Sequence, residues 1–209
     1  MLILSIETSS KFASAALLRD GVIVGSATAD KNLKHAETVL PMIAELLKHH
    51  DIPISDIDLY AVDVGPGSFT GIRIGLSVVD ALSYVNRKKI VPVASLDVLY
   101  SSVSEGNKKN ICSIIDARNN NVYAKIFKNG KTVLEEGAYT IDELRKYTIE
   151  NLLFVGDISL DGSLNEEDKK YPDAVYVAKW AYEHSEHAVD TVKALYLRLS
   201  QAERINSKG

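Results

Sequence analysis

The sequence predicts an α/β protein of two lobes, each built on a mixed sheet. Three observations carry that expectation. Apolar runs and helical patterns follow one another as strand, hairpin, helix, strand, helix, strand over the first hundred residues. After Asn110 a second series opens in the same way, with strands around a second hairpin. Between them lies SSVSEGNKKN, Ser101 to Asn110, a polar stretch of boundary composition. The expected division is 1–104 for the first lobe and 105–209 for a smaller second lobe, with the last helix packing back on the first lobe.

The first strand is the apolar run Leu2 to Ile6. Phe12 to Leu18 and Val22 to Thr28 flank Asp20-Gly21, a hairpin signal because such turns need positive φ. From His35 to His50 the period changes. Ala36, Val39, Leu40, Ile43, Leu46 and Leu47 fall on one helical stripe, with Pro41 either in the first regular turn or at a kink. Leu59 to Val64 reads as a strand, Phe69 to Val85 as a helix, and KIVPVAS as another strand. In the second series Ile111 to Ile115 and Val122 to Phe127 are strands around DARNNN, and Asn129-Gly130 signals a hairpin. Thr140-Ile141-Asp142-Glu143 has capping-box spacing, so a helix begins there. Leu152 to Val155 is a strand ending in Gly156-Asp157, Asp173 to His187 has roughly helical spacing, and the tail from Ser200 is polar enough to fray.

With 209 residues, 46% hydrophobic and 25% charged, the chain is an ordinary globular protein with room for a proper core. A formal net charge of −4 argues against a stand-alone nucleic-acid binder, and the short basic clusters read as solvated turns. The single Cys112 lies in an apolar run, as an inert thiol in a reducing compartment would. The N-terminal apolar run is cut short by Glu7, so neither a signal peptide nor a membrane span is expected, and the location expected is cytoplasmic.

The most suggestive motif is VGPGSFTGIRIG, Val64 to Gly75. It stands between a strand and a helix, where phosphate cradles occur, yet Gly71 is followed by Ile72-Arg73 rather than the lysine and hydroxyl of a Walker loop. The spacing of Gly65, Gly67 and Gly71 also fails the dinucleotide fingerprint. What survives is Ser68 as a helix cap beside amides that can hold an anion, against a plain tight turn with close packing. Gly71, Gly75 and Val79, with Leu82 beyond, share a helix face. Interior glycines cost about 1 kcal/mol each, so that face is expected to meet another backbone: the His35–His50 helix, the sheet, or another protein. IETSS places Thr8 and Ser9 at a strand end, as a phosphate loop with Glu7 towards a metal or as a self-bonded turn. Gly156-Asp157 reads as an adenosine-facing turn or a plain one. His184 and His187 lack a third ligand nearby, so no metal is expected there.

Taken together, ILSIETS, HAETVLPMIAELL, GPGSFTGIRIG, IDARNNNVYAKIF and LYLR resemble the bacterial TsaB (YeaZ) family, in family order and over almost the whole chain. The resemblance implies the two-lobed, ribonuclease H-like fold of the actin, sugar-kinase and chaperone superfamily, with a reduced second lobe. It implies a non-catalytic paralogue of TsaD, acting with TsaD and the ATPase TsaE. Their complex transfers threonylcarbamoyl from threonylcarbamoyl-AMP to the adenosine beside the anticodon of tRNAs that read codons beginning with A. The catalytic relative follows Glu-Thr-Ser with Cys-Asp-Glu and carries His-x-x-x-His ligands; here those positions hold Ser10, Lys11 and Phe12, then Ser95 and Leu99. No cofactor of its own is therefore implied. ATP, threonylcarbamoyl-AMP and a metal held by the catalytic partner serve the complex, and tRNA is met through it. The implied interface, used with TsaD or in a homodimer, is His35, Val39, Leu40, Ile43 and Leu47 with Phe69, Gly71, Ile72, Gly75, Val79 and Leu82. Thr8, Ser9, Ser68, Gly156 and Asp157 form a remnant anion or nucleotide site. The rival expectation is an ATP-dependent kinase, an ATPase or a metallopeptidase of the same superfamily.

Overall fold

The structure, a computed structural model, describes residues 1–29, 34–104, 110–147, 152–158 and 170–198. Residues 105–109 of the expected boundary, and the tail from 199, lie outside the described residues. Two sheets form the frame. The first has the order β3-β2-β1-β4-β5, with β1 Leu2–Glu7, β2 Ser14–Arg19, β3 Val22–Thr28, β4 Leu59–Gly65 and β5 Lys89–Ala94. The second has the order β8-β7-β6-β9, with β6 Asn110–Asp116, β7 Asn121–Lys128, β8 Lys131–Thr140 and β9 Leu152–Gly156.

Each sheet opens as an antiparallel meander and then adds a parallel strand beside its first strand, β4 on β1 and β9 on β6. The second sheet stops one strand short of the first. The two sheets thus repeat one strand plan, reduced in the second. Both hairpins turn where the sequence placed them: Asp20 and Gly21 have φ of 50° and 84°, Asn129 and Gly130 of 51° and 76°, the paired positive values of a tight hairpin.

Helices α1 (His35–His49) and α2 (Phe69–Asn86) cover one face of the first sheet, packing Val39, Ile43, Leu47 and Val79 onto Leu4, Ile6 and Val62. Pro41 falls in the second turn of α1 and faces outward. The helical stripe is narrower than its sequence pattern. Ala36 and Leu40 point away from the sheet, and Leu40 is 51% exposed. On the opposite face α5 (Ala174–Glu183) returns from the second lobe, and its Val177, Ala178 and Ala181 meet Ile3, Leu18 and Ala61. The short α4 (Ile141–Leu144) carries both halves of the Thr140–Glu143 capping box.

Helix α3 (Ser95–Ser104) joins the lobes. Leu96 and Leu99 pack against Ile111, Ile115, Leu153 and Val155 of the second sheet. Beside them Lys125 of β7 lies 2.8 Å from Asp97 of α3 and 3.4 Å from Glu136 of β8.

Candidate interlobe site and partner face

The parallel strands β1 and β4 end side by side, at the crevice where open α/β sheets build their sites. From β1 the chain enters the Thr8–Lys11 loop. From β4 it turns through Gly65-Pro66-Gly67 into α2. Ser68 caps α2, its hydroxyl accepting from the Gly71 amide at 3.2 Å. The two loops are bonded together: the Ser68 amide donates to the Ser9 carbonyl at 2.7 Å, and the Thr8 hydroxyl donates to the Gly71 carbonyl at 2.7 Å.

This contact is what the glycines serve. A Cβ on Gly71 would collide with the Thr8 carbonyl oxygen, one on Gly67 with the Ser9 carbonyl oxygen, and one on Gly75 with the Thr8 hydroxyl. Of the three neighbours left open for the Gly71, Gly75 and Val79 face, the one met is the chain's own first loop and sheet, which takes these residues out of the implied partner interface. That stripe faces inward, against the chain's own first loop and sheet, and so do Ile72, Val39, Ile43 and Leu47. Burying α2 directly on a backbone loop requires hydrogen atoms where side chains would stand.

Beneath the loop lie two fully buried carboxylates. Glu7 accepts from the Ser9 amide at 2.5 Å, the Ser9 hydroxyl at 2.7 Å and the Ser10 amide at 3.0 Å. Asp63 accepts from the Ser95 hydroxyl at 2.6 Å, the Gly65 amide at 2.7 Å and the Ser9 hydroxyl at 3.1 Å. Burial raises both, Asp63 to about 6 and Glu7 well above the ordinary carboxylate range, the latter also through the charge of Asp63. The hydroxyls of Thr8 and Ser9, expected at an anion site, are thus held by the chain's own groups. Among the described residues no group of three or more His, Cys, Asp or Glu is placed to hold a metal ion.

Above this network a cleft of about 650 Å³ opens between the lobes. Ser9, Ser68 and Asp157 line it, whereas Thr8 and Gly156 do not. Gly156, at φ +144°, passes so close to the Ile114 carbonyl that a Cβ there would overlap it, so this glycine is a packing requirement. Asp157 accepts from the Asp116 amide at 2.8 Å. Its carboxyl is raised by the protein packed around it, with the charge of Asp116 acting in the same direction.

The other walls are ones sequence spacing did not reveal. Arg118, Asn119 and Asn120 form a turn of three left-handed residues, with φ of 59°, 54° and 59°, closed by the Arg118 amide on Asp116 at 2.7 Å. The segment after α5 crosses the cleft as a strap. Val189 pairs with Ile90, the Leu195 amide donates to Val64 at 2.8 Å, and Arg198 donates to the Ala117 carbonyl at 3.0 Å. Between these anchors Tyr196 stacks on Phe69 at 4.8 Å and accepts from Arg73 at 3.1 Å. The LYLR motif is this strap. Its role was hidden because its partners lie in β4, α2 and the turn between β6 and β7.

The outward face of the helical layer is set by what the inward stripe leaves over. Arg73, Ser77, Ala81, Tyr84 and Val85 of α2 are exposed, as are Leu40, Pro41 and Ala44 of α1. Tyr84 is 87% and Val85 77% exposed. His35 and Leu82 are half-buried at its margin, and Phe69 sits at its cleft end.

Comparison with known proteins identifies this frame. The family model described as "TsaD: tRNA N6-adenosine threonylcarbamoyltransferase" matches residues 25–195, which gives the class: a chain built on the threonylcarbamoyltransferase plan. Within that class the chain belongs to the TsaB (YeaZ) family. It is 30% identical over 188 residues to the tRNA threonylcarbamoyladenosine biosynthesis protein TsaB of Buchnera aphidicola subsp. Schizaphis graminum, covering 83% of this chain and 89% of that one. It is 30% identical over 175 residues to TsaB of Bacillus subtilis, covering 80% and 76%. The solved structure of YeaZ from Pseudomonas aeruginosa shares the fold, with a TM-score of 0.77 at 24% identity over 94% of this chain and 99% of the other. No helix among the described residues is long and apolar enough to cross a membrane.

Proposed function

We propose that the chain is the non-catalytic subunit that pairs with a TsaD-type transferase and is required, with the ATPase TsaE, for threonylcarbamoyl transfer to tRNA adenosine. The observation that carries this reading is what has become of the positions where the catalytic relative holds its metal. Ser95 spends its hydroxyl on Asp63 and Leu99 is a core residue between the lobes. At the first loop Lys11 lies over the Tyr171 ring at 4.3 Å, where the relative has an acidic residue. A serine already committed and a buried leucine offer no credible ligand set, so ATP, the metal and threonylcarbamoyl-AMP belong to the partners.

Pairing then falls to the outward α1–α2 face. Ala44, Ser77 and Ala81 are small enough for a partner helix to approach closely, and Tyr84 and Val85 supply apolar anchors. The same face, meeting its own copy, accounts for a homodimer when the chain is alone.

The test is a transfer assay reconstituted with TsaD, TsaE and tRNA. Product should form only when this chain is added, and Ala81→Arg should abolish both pairing and product. Undiminished transfer without the chain would overturn the reading. Pairing that survives Ala81→Arg and Tyr84→Glu would move the interface elsewhere.

A further inference from the structure

We infer that the mouth of the interlobe cleft binds single-stranded RNA directly. The inference rests on the reading that the chain serves RNA modification, and it adds the contact surface. Among the described residues, the cations Lys11, Arg118, Lys170 and Arg198 and the carboxylates Asp116 and Asp157 line the cleft. In a chain of net charge −4, that gathers cationic side chains from distant parts of the sequence at one site, a lining suited to a polyanion. The cations come from four separate parts of the chain and meet only in the folded state. Arg198 is fixed at the wall by the Ala117 and Arg118 carbonyls, and Arg118 is presented by the left-handed turn.

Charge alone would suit any phosphate. The aromatic residues narrow the class. Tyr196 lines the cleft and is 45% exposed, although one of its faces is covered by Phe69 and its hydroxyl is held by Arg73. A ring clamped from behind and open in front is a ready platform for a base, because little side-chain freedom is lost on stacking. Tyr123 and Tyr171 line the same cleft. Cations that track a backbone, interleaved with rings that accept unpaired bases, match single-stranded RNA. A duplex keeps its bases stacked away from such rings.

The experiment uses the purified full chain with fluorescein-labelled oligouridylate and, separately, inorganic polyphosphate, read by anisotropy across a salt series. The intact chain should bind both, with affinity falling linearly in log salt. Arg118→Glu with Lys170→Glu should weaken both at least about tenfold and flatten the salt slope by on the order of 1. Tyr196→Leu should weaken the RNA about tenfold and leave polyphosphate unchanged, while Tyr196→Phe should bind RNA as the parent does.

RNA binding that is absent from the parent, or unaltered by the charge reversals, overturns the inference. Equal RNA affinity in Tyr196→Leu overturns it too, leaving only a polyanion surface. Pairing with TsaD, measured on the same variants, should be unchanged, which reports that they fold. RNA lost from the cleft with pairing intact counts for this site, whereas transfer indifferent to the whole chain would count against the subunit reading instead.

Discussion

Asp63 concentrates several of the costs of this fold in one side chain. It is fully buried, it accepts three hydrogen bonds, and it still titrates near 6 rather than near 3.8, because burial outweighs the bonds that favour its charge. For an acid whose folded value is raised, the folded state holds its proton longer than the unfolded chain does. The stability it contributes is therefore complete below about pH 4 and is lost as pH rises towards 6. Asp63→Asn keeps an acceptor for Ser95 and Gly65 and removes that titration. In urea unfolding the parent should lose on the order of 2 kcal/mol between pH 4 and pH 6.5 relative to Asp63→Asn. Parallel pH profiles would mean that the carboxyl is not protonated in the folded protein. The sequence showed the aspartate but not its state, since burial sets it and two of its three bonding partners, Ser9 and Ser95, lie 54 and 32 residues away. Cys112 is the contrasting case. Its apolar neighbours in sequence already announced an inert thiol, and burial pushes it up to about 12.

Among the elements, those fixed by local chemistry were the legible ones. The Asp-Gly and Asn-Gly hairpins, the Thr140 capping box and the Ser68 cap all stand where short-range rules put them. The face of α2 was not legible, because a helix with glycines at spacing four says only that something approaches closely. That something is Thr8, joined to Gly71 across 63 residues. The two glycines should answer substitution differently. Gly71→Ala meets a backbone carbonyl that cannot step aside, so it should cost several kcal/mol, about 3 by analogy with overpacked cores. Gly75→Ala meets the end of the Thr8 side chain. Adding Thr8→Ala to it should recover most of the loss, since the remaining cost is one hydrogen bond of about 1 kcal/mol set against a similar gain in helix propensity. The same Thr8→Ala should not rescue Gly71→Ala. Thermal melts of the four variants decide it: no rescue at Gly75 would show that the Thr8 side chain is not the obstacle there, and rescue at Gly71 would show that the fixed carbonyl is not the obstacle there.

At the scale of the molecule, the cleft and the joint between the lobes are properties of topology, and no window of sequence could display them. Lys11, Arg118, Lys170 and Arg198 share a wall only because the second sheet repeats the plan of the first and the chain then returns across both. The joint has its own charged centre. Lys125 is 12% exposed and Asp97 14%, so this pair between lobes is largely out of water. Burial alone would lower the lysine, yet the Asp97 and Glu136 carboxylates outweigh it and hold the ammonium above its ordinary range. A raised lysine gives its full stabilisation below the ordinary lysine range, so the tie is intact at neutral pH and is lost only in strong base. Lys125→Met keeps the apolar stem but strands Asp97 without its cation. It should destabilise the protein by about 3 kcal/mol and speed hydrogen exchange in α3 and β7, with the first sheet's core strands unchanged. Lys125→Met combined with Asp97→Leu removes the stranded charge and should regain much of the stability, since an apolar pair of similar volume replaces an ion pair at little loss. If the double variant is no more stable than the single, the lobes are held by the packing of Leu96 and Leu99, and the ion pair is incidental to the joint.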